Sequence, residues 1–288
     1  MNTLKEYSRI IFVSLLLLSN IFIWYVYLCE RNSGEVTVSF LNIGQGDAIY
    51  IQSPTGNQIM IDGGPPHAVL GELRKVIPFY DRSLDMLLVT NPDTDHYAGF
   101  IDVLKGYDVK YVAEPGTYSP SQTYKVFKEE VAHEHASTTL LKRNMIIHLG
   151  GGADLHILYP DKDVSKETTN DGSVLAKLVY KNNEIMFTGD APKSSEEYLV
   201  SLNPHDLKSD VLKVGHHGSK TSSSEKFVEA INPRFAIISA GEKNRYGHPH
   251  SETTDVFKKL GVPVFGTYEH GMITLKLDGI NVATSFEK

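Results

Sequence analysis

Cysteine is all but missing from this chain: Cys29 is the single thiol among 288 residues. That rules out an internal disulfide and a thiolate-rich zinc site. Leu28 precedes it where a lipid-attachment site wants a small residue, so Cys29 reads as an apolar residue near a membrane boundary. Positive charge is also short. Lys and Arg number 28 against 35 Asp and Glu, a net charge of -7, so there is no broad basic surface and any nucleic-acid site must be a local groove. Low-complexity segments are absent, and after residue 35 no linker is long enough to split the chain into independent domains.

One long hydrophobic run exists. Ile10 to Leu28 carries no charge over 19 residues, which at ~1.5 Å rise per residue nearly spans a ~30 Å hydrocarbon core. Trp24, Tyr25 and Tyr27 gather at its far end as an aromatic belt would, and Lys5 and Arg9 precede it. A cleaved signal is disfavoured, because Leu28, Cys29, Glu30 and Arg31 follow in place of a small-x-small site. The reading is an uncleaved anchor over residues 1–31, its N-terminal tip in the cytoplasm and the remainder outside, although Glu30 and Arg31 blunt the charge asymmetry. A polar linker, Asn32 to Glu35, leads into a second region, residues 35–288.

That region alternates strand and helix patterns. Val36, Val38 and Phe40 alternate with Thr37 and Ser39. Ala48 to Ile51 and Gln58 to Ile61 flank the turn Ser53-Pro54-Thr55-Gly56-Asn57 and complete an antiparallel meander. Later strands are expected at Met86 to Val89, Val109 to Val112, Met145 to His148, Leu155 to Leu158, Val174 to Val179, Glu184 to Phe187, Val211 to Val214, Phe235 to Ile238, Val262 to Phe265 and Met272 to Leu277. Helices fall near Ala68 to Val76, Tyr97 to Lys105, Ser121 to His135, Ser194 to Ser201, Glu225 to Ile231 and Thr253 to Leu260. Strand runs interspersed with helices in both halves predict two sheets packed face to face with helices outside.

Acids and histidines cluster at the ends of these strands. Asn91-Pro92-Asp93-Thr94-Asp95-His96 follows a buried strand and opens a helix. Asp93 and Asp95 are candidate ligands of two adjacent metals with His96 beside Asp95, against the plainer reading of an Asp-rich helix cap. Asp190 in Phe187-Thr188-Gly189-Asp190 is a carboxylate at a strand end, as a bridging ligand requires; an Asx turn is the alternative. His216 and His217 follow Val214 between Gly215 and Gly218. On an extended chain they point opposite ways, so one of the pair is expected to face the metal; His217 is taken as the ligand and His216 as a partner behind it or a substrate contact. Ser219 and Lys220 are expected to open the next helix and hold a phosphate, or Ser219 simply caps it. His248 in Gly247-His248-Pro249-His250 completes the set, with His250 as a surface or capping residue. Carboxylates and imidazoles gathered from several strand ends are how a hydrolytic metal site is built.

Taken in order, Gly44-Gln45-Gly46-Asp47-Ala48, Asp62-Gly63-Gly64, Pro92-Asp93-x-Asp95-His96, Asn170-Asp171-x-Ser173, Thr188-Gly189-Asp190-Ala191, Lys213-Val214-Gly215-His216-His217-Gly218-Ser219 and Gly247-His248-Pro249 resemble the metallo-β-lactamase superfamily. More narrowly they resemble the branch typified by the extracytoplasmic hydrolase domain of the ComEC DNA-uptake family. The resemblance implies an α/β fold, a four-layer αββα sandwich, here preceded by one transmembrane helix. It implies metal ligation by Asp93, Asp95, His96, Asp190, His217 and His248, with Asp95, His96, Asp190 and His248 on one ion and Asp93 and His217 toward another. Asn91, Asp62, Asn170 and His216 then become weak ligands or supports behind the ligands, Asp95 and Asp190 the catalytic acids, and Ser219 and Lys220 substrate contacts. The superfamily places histidine at the positions of both Asn91 and Asp93; the resemblance makes Asp93 ordinary for the ComEC branch, whereas Asn91 departs from it.

The expected cofactor is one or two divalent ions, manganese or zinc, with magnesium also suited to so oxygen-rich a set. The expected activity is hydrolysis of a phosphodiester, DNA foremost, at a membrane reached through residues 10–28; protein partners cannot be read from the chain. Two other readings stay open: hydrolysis of another envelope phosphoester or ester, and a metal-poor site kept as a binding module.

Overall fold

The computed structural model describes residues 2–31 and 34–288. Asn32 and Ser33, the start of the expected linker, lie outside the described residues, as do the side chains of Lys5, Tyr27, Leu28, Cys29, Glu30 and Arg31. The first element is a single helix, α1 (Asn2–Arg31). Within it Tyr7–Val26 is long and apolar enough to cross a membrane, and none of it is buried against the rest of the chain.

The meander expected from the alternating pattern forms as β1 (Val36–Phe40), β2 (Ala48–Gln52) and β3 (Gln58–Gly63), antiparallel throughout. From β3 the chain switches to parallel connections through α2 (Val69–Val76), β4 (Ser83–Leu88), two short helices α3 (Thr94–Tyr97) and α4 (Phe100–Gly106), β5 (Asp108–Glu114), α5 (Gln122–His133) and β6 (Ser137–Leu140). The single helix expected over Tyr97 to Lys105 is thus two, meeting at Ala98-Gly99. Gly99 is required there, since a Cβ would lie 2.0 Å from the Gly63 carbonyl oxygen.

A second sheet begins with the antiparallel run β7 (Ile146–Gly150), β8 (Ala153–Tyr159), β9 (Leu175–Tyr180) and β10 (Asn183–Phe187). After α6 (Lys193–Leu202) it too turns parallel, through β11 (Val211–Lys213), α7 (Glu225–Ile231), β12 (Phe235–Ile238), α8 (Ser251–Leu260) and β13 (Val264–Gly266). After the short α9 (Thr267–His270), β14 (Ile273–Leu277) and β15 (Val282–Phe286) return to the first sheet beside β1. The orders are β15-β14-β1-β2-β3-β4-β5-β6 and β13-β12-β11-β10-β9-β8-β7. The pattern had not indicated β6, α9 or β15. All four β6 residues are exposed, so they carry no apolar alternation to read.

Burial explains the layering. Val36, Val38, Phe40, Ile49, Ile51, Ile59 and Ile61 of the first sheet face Leu155, Ile157, Leu178, Ile185, Phe187 and Val211 of the second in one central core. The outer face of the first sheet packs on Leu73 of α2, Phe100 and Val103 of α4, and Phe127 of α5. The outer face of the second packs on Leu199 of α6, Phe227 and Ile231 of α7, and Phe257 of α8. Helix spacing follows: Tyr124, Phe127 and Val131 of α5 recur at i, i+3 and i+7 on the buried side. The result is the αββα sandwich. The parallel strands β3, β4, β10, β11 and β12 present their carboxyl ends at one shared edge, where α/β sheets gather functional side chains.

Candidate metal centre

At that edge the loops after β4, β10 and β11 meet. His96 Nε2 lies 3.1 Å from Asp190 Oδ2. His217 Nε2 lies 3.5 Å from Asp95 Oδ2 and 3.6 Å from Asp190 Oδ1. Among the described residues three groups hold ligand atoms mutually close enough for one ion: Asp95, His96 and His217; Asp47, Asp62 and His96; Asp47, Asp190 and His217. Ligand atoms bonded at ~2.1 Å to a tetrahedral or octahedral ion sit roughly 3.0–3.5 Å apart, so the spacing suits ligation.

The local chain explains how each side chain arrives. His96 lies on the single turn of α3, fully buried, and its Nδ1 is 2.8 Å from Asp62 Oδ2. Asp62, at the end of β3, also accepts the Thr90 backbone N–H at 2.8 Å and the Thr90 hydroxyl at 2.5 Å. A carboxylate that takes the Nδ1 proton fixes the tautomer and turns the Nε2 lone pair outward. Asp190 follows Gly189, whose φ of 48° and position against Thr90 Oγ1 swing the carboxylate inward.

His217 is likewise buried, with Nδ1 3.1 Å from the Ser239 carbonyl oxygen. Four buried atoms here, His96 Nε2, His217 Nε2, Asp190 Oδ1 and Asp47 Oδ1, have no hydrogen-bond partner. Each such atom costs about 1–3 kcal/mol when left unmade. The Asp190 carboxylate lies beside both imidazoles, its Oδ2 3.1 Å from His96 Nε2 and its Oδ1 3.6 Å from His217 Nε2, and a cation held among them would give these atoms a partner. The donor set fits a divalent ion.

Charge points the same way. Asp47, Asp62, Asp93, Asp95 and Asp190 crowd the edge, and the buried Lys213 answers only Asp47, its Nζ 2.7 Å from Oδ2. Burial alone would lower His96, but the Asp190 and Asp62 carboxylates hold it well above the usual imidazole range. His217 rises to about 9 because Asp190 and Asp47 outweigh its burial. Asp190 falls below the carboxylate range despite burial, since His96 and His217 face it. Asp95 is lowered in the same manner, burial being overcome by His217 and His96. His248 goes the other way, down to about 4, through partial burial and the neighbouring His217, His216 and His250.

Several expectations change. His216 and His217 are not on extended backbone: both are left-handed, with φ of 47° and 55°. Both rings therefore reach the centre, His216 Nε2 coming to 3.6 Å from Asp190 Oδ2. His217, expected toward an ion apart from Asp95, sits on the Asp95–His96–Asp190 cluster itself. Ser219 and Lys220 do not open a helix; α7 begins at Glu225, and the buried Glu196 carboxylate takes the Ser223 and Ser224 N–H groups at its start. The Lys220 N–H donates to His250 Nδ1 at 3.1 Å instead, so no free helix N-terminus is there to hold phosphate.

Asp93 is the N-cap residue of α3 but makes no side-chain capping bond; it accepts the Thr169 hydroxyl at 3.0 Å and joins none of the three groups. Asn91 is fully buried, its Oδ1 accepting the Asp93 N–H and its Nδ2 donating to Asn170 Oδ1 at 2.7 Å. His248 stands outside the groups as well, its ring 6.2 Å from that of His217. Gln45 Oε1 accepts the Gly241 N–H, which leaves Gln45 Nε2 to donate to His248 Nδ1 at 3.4 Å.

Asp47 and Lys213 were not singled out as site residues. The signal was present in Gly44-Gln45-Gly46-Asp47: Gly46 has φ of 125°, and a Cβ there would lie 2.3 Å from the Asp95 carbonyl oxygen. That contact lets the Asp47 N–H donate to the same oxygen and sets its carboxylate beside His217.

With the geometry in place, comparison with known proteins is direct. The family model described as the metallo-beta-lactamase superfamily matches residues 41–242. The chain is 31% identical over 271 residues to ComE operon protein 3 of Bacillus subtilis (strain 168), covering 88% of this chain and 34% of that protein. It is 26% identical over 243 residues to competence protein ComA of Neisseria gonorrhoeae, covering 84% of this chain and 32% of that one. It thus spans about a third of the length of these relatives. Among solved structures, the metallo-beta-lactamase fold protein YhfI of Bacillus subtilis superposes with a TM-score of 0.53 at 12% identity, covering 81% of this chain and 96% of that one.

Proposed function

This chain belongs to the metallo-β-lactamase superfamily, and from that premise we propose that it is a metal-dependent phosphodiesterase acting on DNA, held at a membrane by α1 with the sandwich outside the cytoplasm. The observation that carries the proposal is the meeting of His96, His217 and Asp190 at the shared sheet edge, where the buried His96 Nε2, His217 Nε2 and Asp190 Oδ1 make no hydrogen bond. A phosphodiester is favoured because the donor set is rich in carboxylate, as an ion that meets phosphoryl oxygens requires. DNA comes first because competence is in the name of a relative. The positive-inside bias of Lys5 and Arg9 supports the orientation.

In this reading His96, His217, Asp95 and Asp190 would hold the ion, which would supply Lewis acidity to a phosphoryl oxygen and to water. Asp62 and the Ser239 carbonyl keep the two imidazoles turned so that Nε2 faces inward. Asp95 keeps about a third of its side chain exposed while Asp190 is buried. Asp95 is therefore the carboxylate that reaches solvent and can orient a water for attack on phosphorus. Neutral His248, accepting from Gln45 at Nδ1, presents an Nε2–H that can steady a phosphoryl oxygen.

The test is digestion of single- and double-stranded DNA by the full chain in detergent with manganese or zinc. Asp95→Ala and Asp190→Ala are each expected to lose activity by at least about a hundredfold. Activity surviving both substitutions would sink the assignment of the centre, and no turnover with any divalent ion would sink the reading of DNA as substrate.

A further inference from the structure

Beside the centre a cavity of about 730 Å³ opens, with Gln45, Asp93 and Asp95 on one wall and Lys243, Arg245 and Tyr246 on the other. The outer wall is the loop between β12 and α8, and one residue ties it. Asn244 Nδ2 donates to the Gly241 and His248 carbonyl oxygens at 2.8 and 2.6 Å, while its Oδ1 accepts the Tyr246 and His248 N–H groups at 3.1 and 2.9 Å. The loop is therefore held in shape, yet it presents Lys243, Arg245 and Tyr246 to solvent.

Tyr246 is the unusual member. The residue is 47% exposed, and its ring is close to parallel with that of His248 at 5.6 Å and 21°. The Arg245 guanidinium lies over the ring, 4.9 Å from its centroid, and Nη2 donates to the Tyr246 hydroxyl at 2.7 Å. An aromatic ring braced in this way has less rotamer freedom to lose, so a planar ligand stacks on it at a lower cost in entropy. The cations answer a second need. The carboxylates of the centre and the net charge of -7 repel a phosphodiester, and Lys243 and Arg245 supply positive charge at the mouth of the cavity.

We infer that Tyr246, braced by Arg245 and His248, is a stacking platform for one unpaired base of a nucleic-acid strand, whose adjoining phosphate meets Lys243 and Arg245. Bases inside a duplex are already stacked on their neighbours, so only a single strand can lay a base on this ring. The platform makes the site selective for single strands. This assignment rests on the phosphodiesterase reading and adds the residues that choose among its substrates. A phosphoester without a planar ring, such as a lipid headgroup, would gain nothing from Tyr246.

The experiment measures binding apart from turnover. Fluorescence anisotropy follows a labelled, hydrolysis-resistant phosphorothioate oligothymidylate, single-stranded or paired with its complement, on the full chain in detergent with manganese. The wild type is expected to prefer the single strand. Tyr246→Ala should weaken that binding about tenfold, and Tyr246→Phe, which keeps the ring, should stay within about threefold. Arg245→Ala should weaken binding and flatten its salt dependence. Tyr118→Ala, an exposed aromatic beside a different cavity, should change nothing. Equal affinity of wild type and Tyr246→Ala, or no preference for the single strand, overturns the platform. The expected binding pattern without hydrolysis under any divalent ion overturns the phosphodiesterase reading and leaves the platform standing.

Discussion

Replacing Asp62 with asparagine tests whether the centre depends on how one proton is placed. Both carboxylate oxygens of Asp62 are committed: Oδ1 accepts the Thr90 N–H at 2.8 Å, and Oδ2 takes the Thr90 hydroxyl at 2.5 Å and His96 Nδ1 at 2.8 Å. The Thr90 N–H can only donate, so in Asp62→Asn the amide oxygen remains on it and the amide nitrogen replaces Oδ2. That nitrogen donates to His96 Nδ1, which must then accept, and the proton of the neutral ring moves to Nε2. An Nε2 that carries a proton has no lone pair for an ion.

Loss of a partner of this kind costs roughly 10–100-fold in metal affinity, or about 1.4–2.8 kcal/mol. The shape of the side chain is unchanged, so the fold should persist. Isothermal titration of manganese and zinc into both proteins gives the affinity, circular dichroism the fold, and nitrogen NMR of the imidazoles the tautomer. An affinity within about twofold of wild type in a folded Asp62→Asn protein, or, at a pH where the ring is neutral, an Nε2 still without its proton, would refute the reasoning.

Asn91→Ala should leave metal affinity within about twofold while lowering stability by about 1–2 kcal/mol, because Asn91 spends both polar atoms on Asp93 and Asn170; parallel metal titration and thermal melting check it, and a large loss of affinity would make Asn91 a ligand. Asp47→Asn strands the buried Lys213 ammonium and should cost about 3–5 kcal/mol. Adding Lys213→Met should return much of that, as urea denaturation of the single and double variants would show; additive losses would mean the pair does not act as one unit. Glu196 is raised to about 7 because burial outweighs its bonds from Ser223 and Ser224. A carboxyl raised on folding stabilises fully below its unfolded value near 4.5 and loses that contribution as pH climbs through about 7. Wild type should therefore lose stability relative to Glu196→Gln between those limits, on the order of 3 kcal/mol at ~1.4 kcal/mol per pH unit. Thermal melts of both across the range decide it, and a constant difference would refute it.

What the sequence made legible at the centre, and what it hid, divides along contact range. The clusters themselves could be found because strand ends are written locally: an apolar run, then Gly, Asp and His at the point where the run stops. Asp95, His96, Asp190 and His217 all stand out this way, and the fold brings their side chains to one edge. The conformation of the His216–His217 turn was not legible, because only the packed loop holds two non-glycine residues at φ of 47° and 55°.

The helix over Glu225 to Ile231 is where the pattern puts it, but the reading of Ser219 and Lys220 as a helix opening fails for a similar reason. Ser219 offers the same local capping chemistry as Ser224, but the chain is held ahead of the helix by Glu196, from α6, which takes the Ser223 and Ser224 N–H groups. The partners that set protons and charge are more distant still. Asp62 and His96 are separated by 34 positions, Asp47 and Lys213 by 166. No pattern of spacing relates residues so far apart, yet they decide which nitrogen is free and which carboxylate already has its cation. An Asp or His can be named a candidate from its neighbours in sequence, but its availability as a ligand depends on its neighbours in space.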